Sequence, residues 1–414
     1  MLFGVVSRFI RVGDLTLIAP DGQERRFGDG SGPPVTVRLN GALTPLKLAM
    51  HPTLKLGECY MDGELELLSG DVYDLCDVIG RNFAFDPERK HRYPLWRRVW
   101  FWLIRHASQI NDRIQAKRNI ARHYDLSNEL YRMFLDPDMQ YSCAYFTKPD
   151  MALEEAQIAK KAHIAAKLLL QPHHRILDIG CGWGGLGLTL AEYVPDGELV
   201  GVTLSEEQLS LARERSTARM ASGGHGADFR LQDYRDVEGP FDRIVSVGMF
   251  EHVGQPNYQA FFDKVAALLA DDGVAVIHSI GRKDEPSITN PFIAKYIFPG
   301  GYIPALSEVL PYIERAGLWV TDMEILRLHY AETLKAWRGR FADARETVKA
   351  TRGERFCRMF EFYLAVSEIA FRYAGHMVFQ VQLTKRVDAV PMTRDYIYEG
   401  ERKIIRHPKM RVLG

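Results

Sequence analysis

The run Arg175-Ile-Leu-Asp-Ile-Gly-Cys-Gly-Trp-Gly-Gly185 constrains this chain more than any other stretch. A short apolar strand ends in an acid and turns through glycines into a helix over about residues 185–193. Gly180, Gly182 and Gly184 carry no side chain, so a ligand can approach the backbone there, and the following helix points its first N–H groups at any carboxylate or phosphate. Such a corner suits a nucleotide cofactor on an α/β sheet. The spacing alone is ambiguous, because Gly180, Gly182 and Gly185 also satisfy the dinucleotide pattern G-x-G-x-x-G, and a glycine-rich turn can serve packing alone. Asp178 separates these readings. Two places before the first glycine, its charge would repel a pyrophosphate, whereas it can hydrogen-bond, directly or through water, to the ammonium of S-adenosylmethionine.

The following segments extend the same sheet. Glu198–Leu204 reads as a second strand whose end lies about 20 residues past the glycines, where a ribose is met in folds of this type. No acid terminates it; Thr203, Ser205 and Gln208 stand there, with Glu206 and Glu207 beside them, so neutral groups are expected to hold the ribose. Leu231-Gln-Asp-Tyr234 closes a third strand, with Asp233 able to accept from an adenine amine and Tyr234 able to stack on the ring. Phe241–Phe250 is a fourth, central strand and Val274–Ser279 a fifth. Strands alternating with helical stretches predict a doubly wound α/β sheet with ligands at the strand carboxyl ends.

Six segments carry a resemblance. His123-Tyr-Asp-Leu-Ser-Asn128, Gln140-Tyr-Ser-Cys-Ala-Tyr145, Leu177–Gly185, Gly201-Val-Thr-Leu-Ser205, Leu231-Gln-Asp-Tyr-Arg-Asp236 and Gly248-Met-Phe-Glu-His-Val-Gly254 resemble the cyclopropane-fatty-acyl-phospholipid synthases, in that family's order and spacing from about residue 120 onward. Gly57-Glu-Cys-Tyr-Met-Asp-Gly63 is similar to its accessory domain. The resemblance implies a class I methyltransferase fold behind a small α+β lipid-binding domain of sterol-carrier type. It also implies S-adenosylmethionine as cofactor, with the methyl transferred to a cis double bond of a membrane phospholipid acyl chain and a three-membered ring closed. A homodimer is implied as well.

The chemistry asks for particular residues. An alkene is a weak nucleophile and its methylation leaves a carbocation, so the site needs apolar or aromatic walls and a base near the new methyl. In the resembling family that base is bound bicarbonate. Motif by motif, the resemblance assigns its ligands to Glu251, His278, Tyr330 and the backbone beside Cys143 and Ile280, with Tyr141 and Ser142 touching the donor. Read alone, these residues say less: Glu251 and His252 could cap a helix, His278 in an apolar strand reads as a core histidine, and Tyr330 is one of 18 tyrosines. Cys143 is expected to act through backbone or packing, since moving a methyl from a sulfonium to an alkene needs no alkylated enzyme.

Composition bounds the rest. At 414 residues and 46% hydrophobic, the chain can bury sizeable cores, and two or three domains are expected. We place them at 1–105 for the lipid-binding domain, 106–121 for a basic helical linker and 122–414 for the catalytic domain. Within the first, Leu15–Ile18, Val35–Leu39 and Leu46–Met50 read as strands, with turns at Asp21-Gly22 and residues 29–34. Lys+Arg and Asp+Glu are equal at 53 each, which argues against a nucleic-acid binder. Cys59, Cys76, Cys143, Cys181 and Cys357 form no C-x-x-C pair and are odd in number, so neither zinc nor disulfides are expected, and a reducing cytoplasm suits them.

No segment reaches the roughly 18 apolar residues of a membrane span. Residues 89–122 are instead basic and aromatic: Arg89-Lys-His-Arg92, Trp96-Arg-Arg98, Trp100-Phe-Trp-Leu-Ile104, Arg113, Lys117, Arg118 and Arg122. This suits either peripheral attachment to an anionic inner membrane face or an interdomain helix packed through its tryptophans. Phe292, Tyr296, Ile297, Phe298 and Tyr302 form a candidate lid or wall for an acyl chain, and residues 337–381 read as mostly helical. A methyl-branched product, a soluble amine methyltransferase and a non-catalytic lipid carrier are the alternatives. The amine enzyme would need neither the tryptophan-rich segment nor the N-terminal domain.

Overall fold

A computed structural model of the chain describes residues 2–84 and 127–406. These form two compact units, one built from 2–84, 288–299 and 334–376, the other from 127–287, 300–333 and 377–406. The division differs from the contiguous stretches 1–105 and 122–414 read from the sequence, because two later segments cluster with the N-terminal one. The expected linker, 106–121, lies outside the described residues.

The smaller unit opens with helix Leu2–Phe9 and a four-stranded sheet. Strand β1 (Asp14–Ile18) turns at Asp21-Gly22 into antiparallel β2 (Glu24–Phe27), lies parallel to β3 (Pro34–Leu39), and β3 pairs antiparallel with β4 (Leu65–Ser69). Leu15, Leu17, Phe27, Val35, Val37 and Leu39 face inward at period two and meet Cys59, Leu75 and Val78 from the helices. Full burial of each such aliphatic side chain contributes about 2 kcal/mol.

Leu46–Met50 is not a strand. It lies in helix Thr44–Met50, because Pro45 in the first turn presets helical φ and needs no N–H partner there.

Two glycines explain why the later segments join this unit. A Cβ on Gly57 would lie 2.4 Å from the ring of Phe292 and 2.7 Å from that of Phe362, and one on Gly80 would lie 2.5 Å from Ile369. Their bare backbone lets helices Pro291–Tyr296 and Glu354–Tyr373 pack at close range. Glu58, buried, accepts from Lys295 Nζ at 2.6 Å and from the Tyr296 hydroxyl at 2.9 Å. Phe292 and Tyr296, read from sequence as part of a lid or wall for an acyl chain, are packing groups of this unit.

The larger unit holds a seven-stranded sheet. Its strands are β5 (Arg175–Ile179), β6 (Glu198–Thr203), β7 (Asp228–Leu231), β8 (Phe241–Val247), β9 (Leu269–Arg282), β10 (Trp319–Leu326) and β11 (His376–Thr384), in the order β10-β11-β9-β8-β5-β6-β7. Strands β9, β8, β5, β6 and β7 run parallel, and β10 pairs antiparallel with β11. Winding reverses between β5 and β8, where a doubly wound sheet opens its binding crevice. Leu177, Val200, Val202, Ile244, Ile277, Val381 and Leu383 fill the core.

Two sequence expectations change here. Strand β9 is longer than the fifth strand read from sequence, and the end of the stretch read as helical is β11. Gly375, at φ +77°, ends the preceding helix, and the buried run Met377-Val-Phe-Gln-Val-Gln-Leu-Thr384 has the β-branched and aromatic make-up of an inner strand.

Candidate active site

The glycine turn after β5 is shaped by three left-handed residues, Gly180 at φ +83°, Gly182 at +56° and Gly184 at +81°, and leads into helix Gly185–Ala191. Around it a cavity is lined from the carboxyl ends of four parallel strands: Asp178 near the end of β5 with Gly180 and Gly182 beyond it, Thr203 at the end of β6 with Gln208 beyond it, Asp233 and Tyr234 after β7, and Gly248 and Met249 after β8. Tyr141 and Ser142 close it from the segment preceding the sheet.

Gly184 does not line the cavity. It caps the helix, and a Cβ there would lie 2.7 Å from the ring of Phe229, so its role is packing. Gly182 is the reverse case, since an added Cβ would meet no atom within 4 Å and would project into open space.

Polar contacts around the cavity are specific. Asp178 is buried, its Oδ2 has no hydrogen-bond partner, and burial pushes its carboxyl up to about 7. A buried acceptor left open in this way fits a cationic ligand group. Thr203 Oγ1 lies 3.2 Å from Gln208 Oε1, and Ser205 caps the next helix by accepting from the Gln208 amide. Asp233 is already gripped: Arg235 donates to both of its oxygens, at 2.8 and 2.5 Å. The sequence reading turned this carboxylate toward adenine and left out that pairing. Tyr234 stands edge-on to Phe261 with centroids 5.5 Å apart.

Other residues of the cavity were not singled out from sequence. Trp183 and Arg235 line it, each inside a quoted motif with no role read for it, and so does His252, read from sequence only as a helix cap or pair with Glu251. Trp183 is fixed by its Nε1–H donating to Asn128 Oδ1 at 2.7 Å and by Tyr131, 4.8 Å away between centroids. Behind the cavity wall Lys160 has no local signal at all, being one of three lysines in helix Leu153–Lys167. Fully buried, it donates to Gln140 Oε1 at 2.6 Å and Ser142 Oγ at 2.8 Å. Burial lowers its ammonium to about 8, against the pull of Asp136.

The five residues assigned to the base form two connected sets. Glu251 Oε1 accepts from the Ile280 amide at 2.7 Å, its Oε2 has no partner, and burial pushes the carboxyl up to about 7. His278 shares a face of β9 with Ile280, and its carbonyl accepts from the Gly248 amide at 2.9 Å, tying β9 to the cavity-lining end of β8. Burial, and after it the neighbouring Lys160, Lys167 and His163, hold the His278 imidazole neutral, well below its ordinary range.

Cys143 is buried, and the same burial raises its thiol far above the ordinary range, so it is no nucleophile at neutral pH. The next amide, of Ala144, donates to Thr333 Oγ1 at 3.0 Å, and that of Phe146 donates to His329 Nδ1 at 3.0 Å. These bonds anchor the Cys143 segment to the first turn of helix His329–Arg352, which carries Tyr330. None of the five lines the cavity itself, and neither does Tyr302, which is buried with its amide donating to the Glu251 carbonyl at 2.9 Å. Among the described residues no cluster of His, Cys, Asp and Glu could hold a metal, and no helix is long and apolar enough to cross a membrane.

Comparison with known proteins agrees with this arrangement. Residues 111–381 match the mycolic acid cyclopropane synthetase family, and residues 14–84 match a domain of unknown function. The chain is 37% identical over 365 residues to the cyclopropane-fatty-acyl-phospholipid synthase of Escherichia coli, covering 86% of this chain and 89% of that one. It is 36% identical over 393 residues to a probable fatty acid methyltransferase of Pseudomonas putida, covering 90% and 94%. Mycolic acid cyclopropane synthase CmaA1, solved with SAH and CTAB, superposes with a TM-score of 0.60 at 34% identity, covering 64% of this chain and 97% of that one. With its seven-stranded sheet and its cavity at the switch point, the chain has a class I methyltransferase fold and belongs to the mycolic acid cyclopropane synthetase family.

Proposed function

We propose that the chain methylates the cis double bond of an unsaturated acyl chain in a membrane phospholipid and closes a cyclopropane, with S-adenosylmethionine as methyl donor and bicarbonate as base. The observation that carries this reading is the pair of buried carboxylates with one unpartnered oxygen each, Asp178 in the cavity and Glu251 beside β9. A carboxylate alone at the end of β5 suits the ammonium of a sulfonium amino acid. The bare Gly182, with open space where a Cβ would stand, suits close passage of the same ligand.

At the second carboxylate the donor set fits a small anion. With its carboxyl near 7, Glu251 can carry the proton and donate through Oε2, while Ile280 holds Oε1. His278 is neutral and Tyr330 has a phenol, so each can add one donor. Bicarbonate held there would supply a base that is not itself a protein carboxylate exposed to alkylation. Buried, unreactive Cys143 fits a structural part in the same wall. Tyr141 and Ser142 line the cavity where the methyl donor would lie.

A second reading is a methyl-branched product, since the name of the Pseudomonas putida relative, probable fatty acid methyltransferase, specifies methyl transfer and no ring. Chromatography and mass spectrometry of lipids from cells expressing the protein test both. Loss of the alkene with gain of a ring methylene is expected; a branched acyl chain would select the second reading, and an unchanged lipid profile with a methylated amine would overturn both. The N-terminal unit we assign to lipid handling, and residues 89–122, which lie outside the described residues, to attachment at an anionic membrane surface.

A further inference from the structure

The groups behind His278 bear on how it presents its proton, an inference that rests on the base-site reading above. His278, 2% exposed, has Nδ1 3.1 Å from Nε2 of Gln380, which is fully buried in β11. The far end of that amide decides which partner donates. Gln380 Oε1 faces Lys167 Nζ at 2.9 Å, and an ammonium has donors only. The amide oxygen therefore points at Lys167 and its NH2 at the imidazole, so Nδ1 accepts. In a neutral ring the single proton is then on Nε2.

Lys167 is itself held. Fully buried, it donates to Glu324 Oε2 at 2.5 Å and lies 3.6 Å from Asp322. Glu324 also meets His163 Nε2 at 2.6 Å, and His163 Nδ1 lies 3.1 Å from Glu401 in helix Asp395–Arg406. The orientation of one amide is thus fixed by ionic groups drawn from strand β10 and two helices.

We propose that Gln380, oriented by Lys167, is a positioning residue that holds His278 as the Nε2–H tautomer and so directs its one N–H away from Gln380, toward the anion assigned to Glu251, His278 and Tyr330. The opposite tautomer would turn a lone pair toward the anion's oxygens and lose one of its donors.

The test is nuclear magnetic resonance of the full-length protein labelled with 15N-histidine, with His278 assigned by its loss in His278→Gln. Wild type is expected to carry the proton on Nε2 and none on Nδ1. In Gln380→Glu the facing group can only accept, so the proton should move to Nδ1. The kcat on vesicles should then fall on the order of 10- to 100-fold, as for other partners that orient an imidazole, with KM for S-adenosylmethionine unchanged.

A wild-type ring protonated on Nδ1 overturns the proposal without any variant having to fold. It is also overturned if Gln380→Glu keeps its full rate after the proton has moved, or loses rate with the proton still on Nε2. Full activity in His278→Gln would instead overturn the base-site reading, so the two failures are distinguishable.

Discussion

Glu251 accepts the backbone N–H of Ile280 at 2.7 Å while its second carboxylate oxygen is buried with no partner. One oxygen is fixed by the strand and the other is left for a ligand. Glu251→Gln should keep the first bond through its amide oxygen and put an NH2 where the open oxygen stands, losing a group that can both give and take a proton. Activity on defined vesicles should fall on the order of 10²-fold or more, with binding of S-adenosylmethionine retained. His278→Gln and Tyr330→Phe should follow, and removal of bicarbonate should slow the wild type reversibly. Cyclopropane formation by Glu251→Gln at the wild-type rate would show the base site to be elsewhere.

The same substitution should alter stability in a pH-dependent way. Burial raises the Glu251 carboxyl from 4.5 to about 7, opposed in part by the Ile280 amide. Between those values the folded state holds a proton that the unfolded state has lost, so stability falls as pH rises through this window, and the loss is complete above 7. Glu251→Gln should therefore melt higher than wild type above pH 7 and at the same temperature below 4.5. Parallel melting curves across the whole range would contradict the buried, unpaired state of this carboxyl.

How far the site was legible in the sequence depended on whether a residue's role is local. Asp178 and the glycine turn are readable because strand, acid and left-handed turn lie within eleven positions, and the cavity forms around them. Lys160, Lys167 and Gln380 are not, since each acts through a partner from another element and shows no local pattern. The packing role of Phe292 is hidden for a similar reason. Phe292 is an aromatic in a proline-rich excursion, and what buries it is Gly57, more than two hundred positions earlier. Nor could the sequence reveal that residues 334–376 cluster with the N-terminal unit, because composition and turn signals mark boundaries along the chain and say nothing of contacts across it.

Gly182 and Gly184, two positions apart, should fail differently. At Gly182 an alanine Cβ meets nothing within 4 Å, so Gly182→Ala should cost about 1–2 kcal/mol for the left-handed backbone and chiefly weaken cofactor binding. At Gly184 the Cβ would lie 2.7 Å from Phe229 and 3.1 Å from Ala212, adding roughly 1–3 kcal/mol of overpacking. Calorimetric titration and melting curves on the two variants should therefore rank them in opposite orders. Equal losses of affinity and melting temperature would refute the separate roles.

Attachment to membranes should depend on salt and on the basic, tryptophan-bearing segment at residues 89–122. Adsorption to an anionic surface contributes about 1 kcal/mol per basic residue. Charge reversal at Arg97 and Arg98 should reduce sedimentation with anionic vesicles and leave cofactor affinity unchanged. Binding that ignores both added salt and the reversal would exclude this segment as the attachment site.

Cofactor binding should release a proton near neutrality. Burial raises the Asp178 carboxyl from 3.8 to about 7, with Lys160 pulling weakly the other way, so in the free enzyme at pH 6 most molecules carry the proton. An ammonium beside the open oxygen favours the charged form and lowers this value on binding. By linkage, affinity for S-adenosylmethionine should rise with pH up to about 7 and level off above it. The sign for the free fold is the reverse: its stability should fall as pH rises from 3.8 through 7, because the buried group must ionise there. Asp178→Asn removes both effects, weakening binding and leaving an affinity that no longer rises with pH. Titration calorimetry below pH 7 in two buffers of different ionisation enthalpy reads the proton directly, and identical heats in both would mean that Asp178 is already charged before the cofactor arrives.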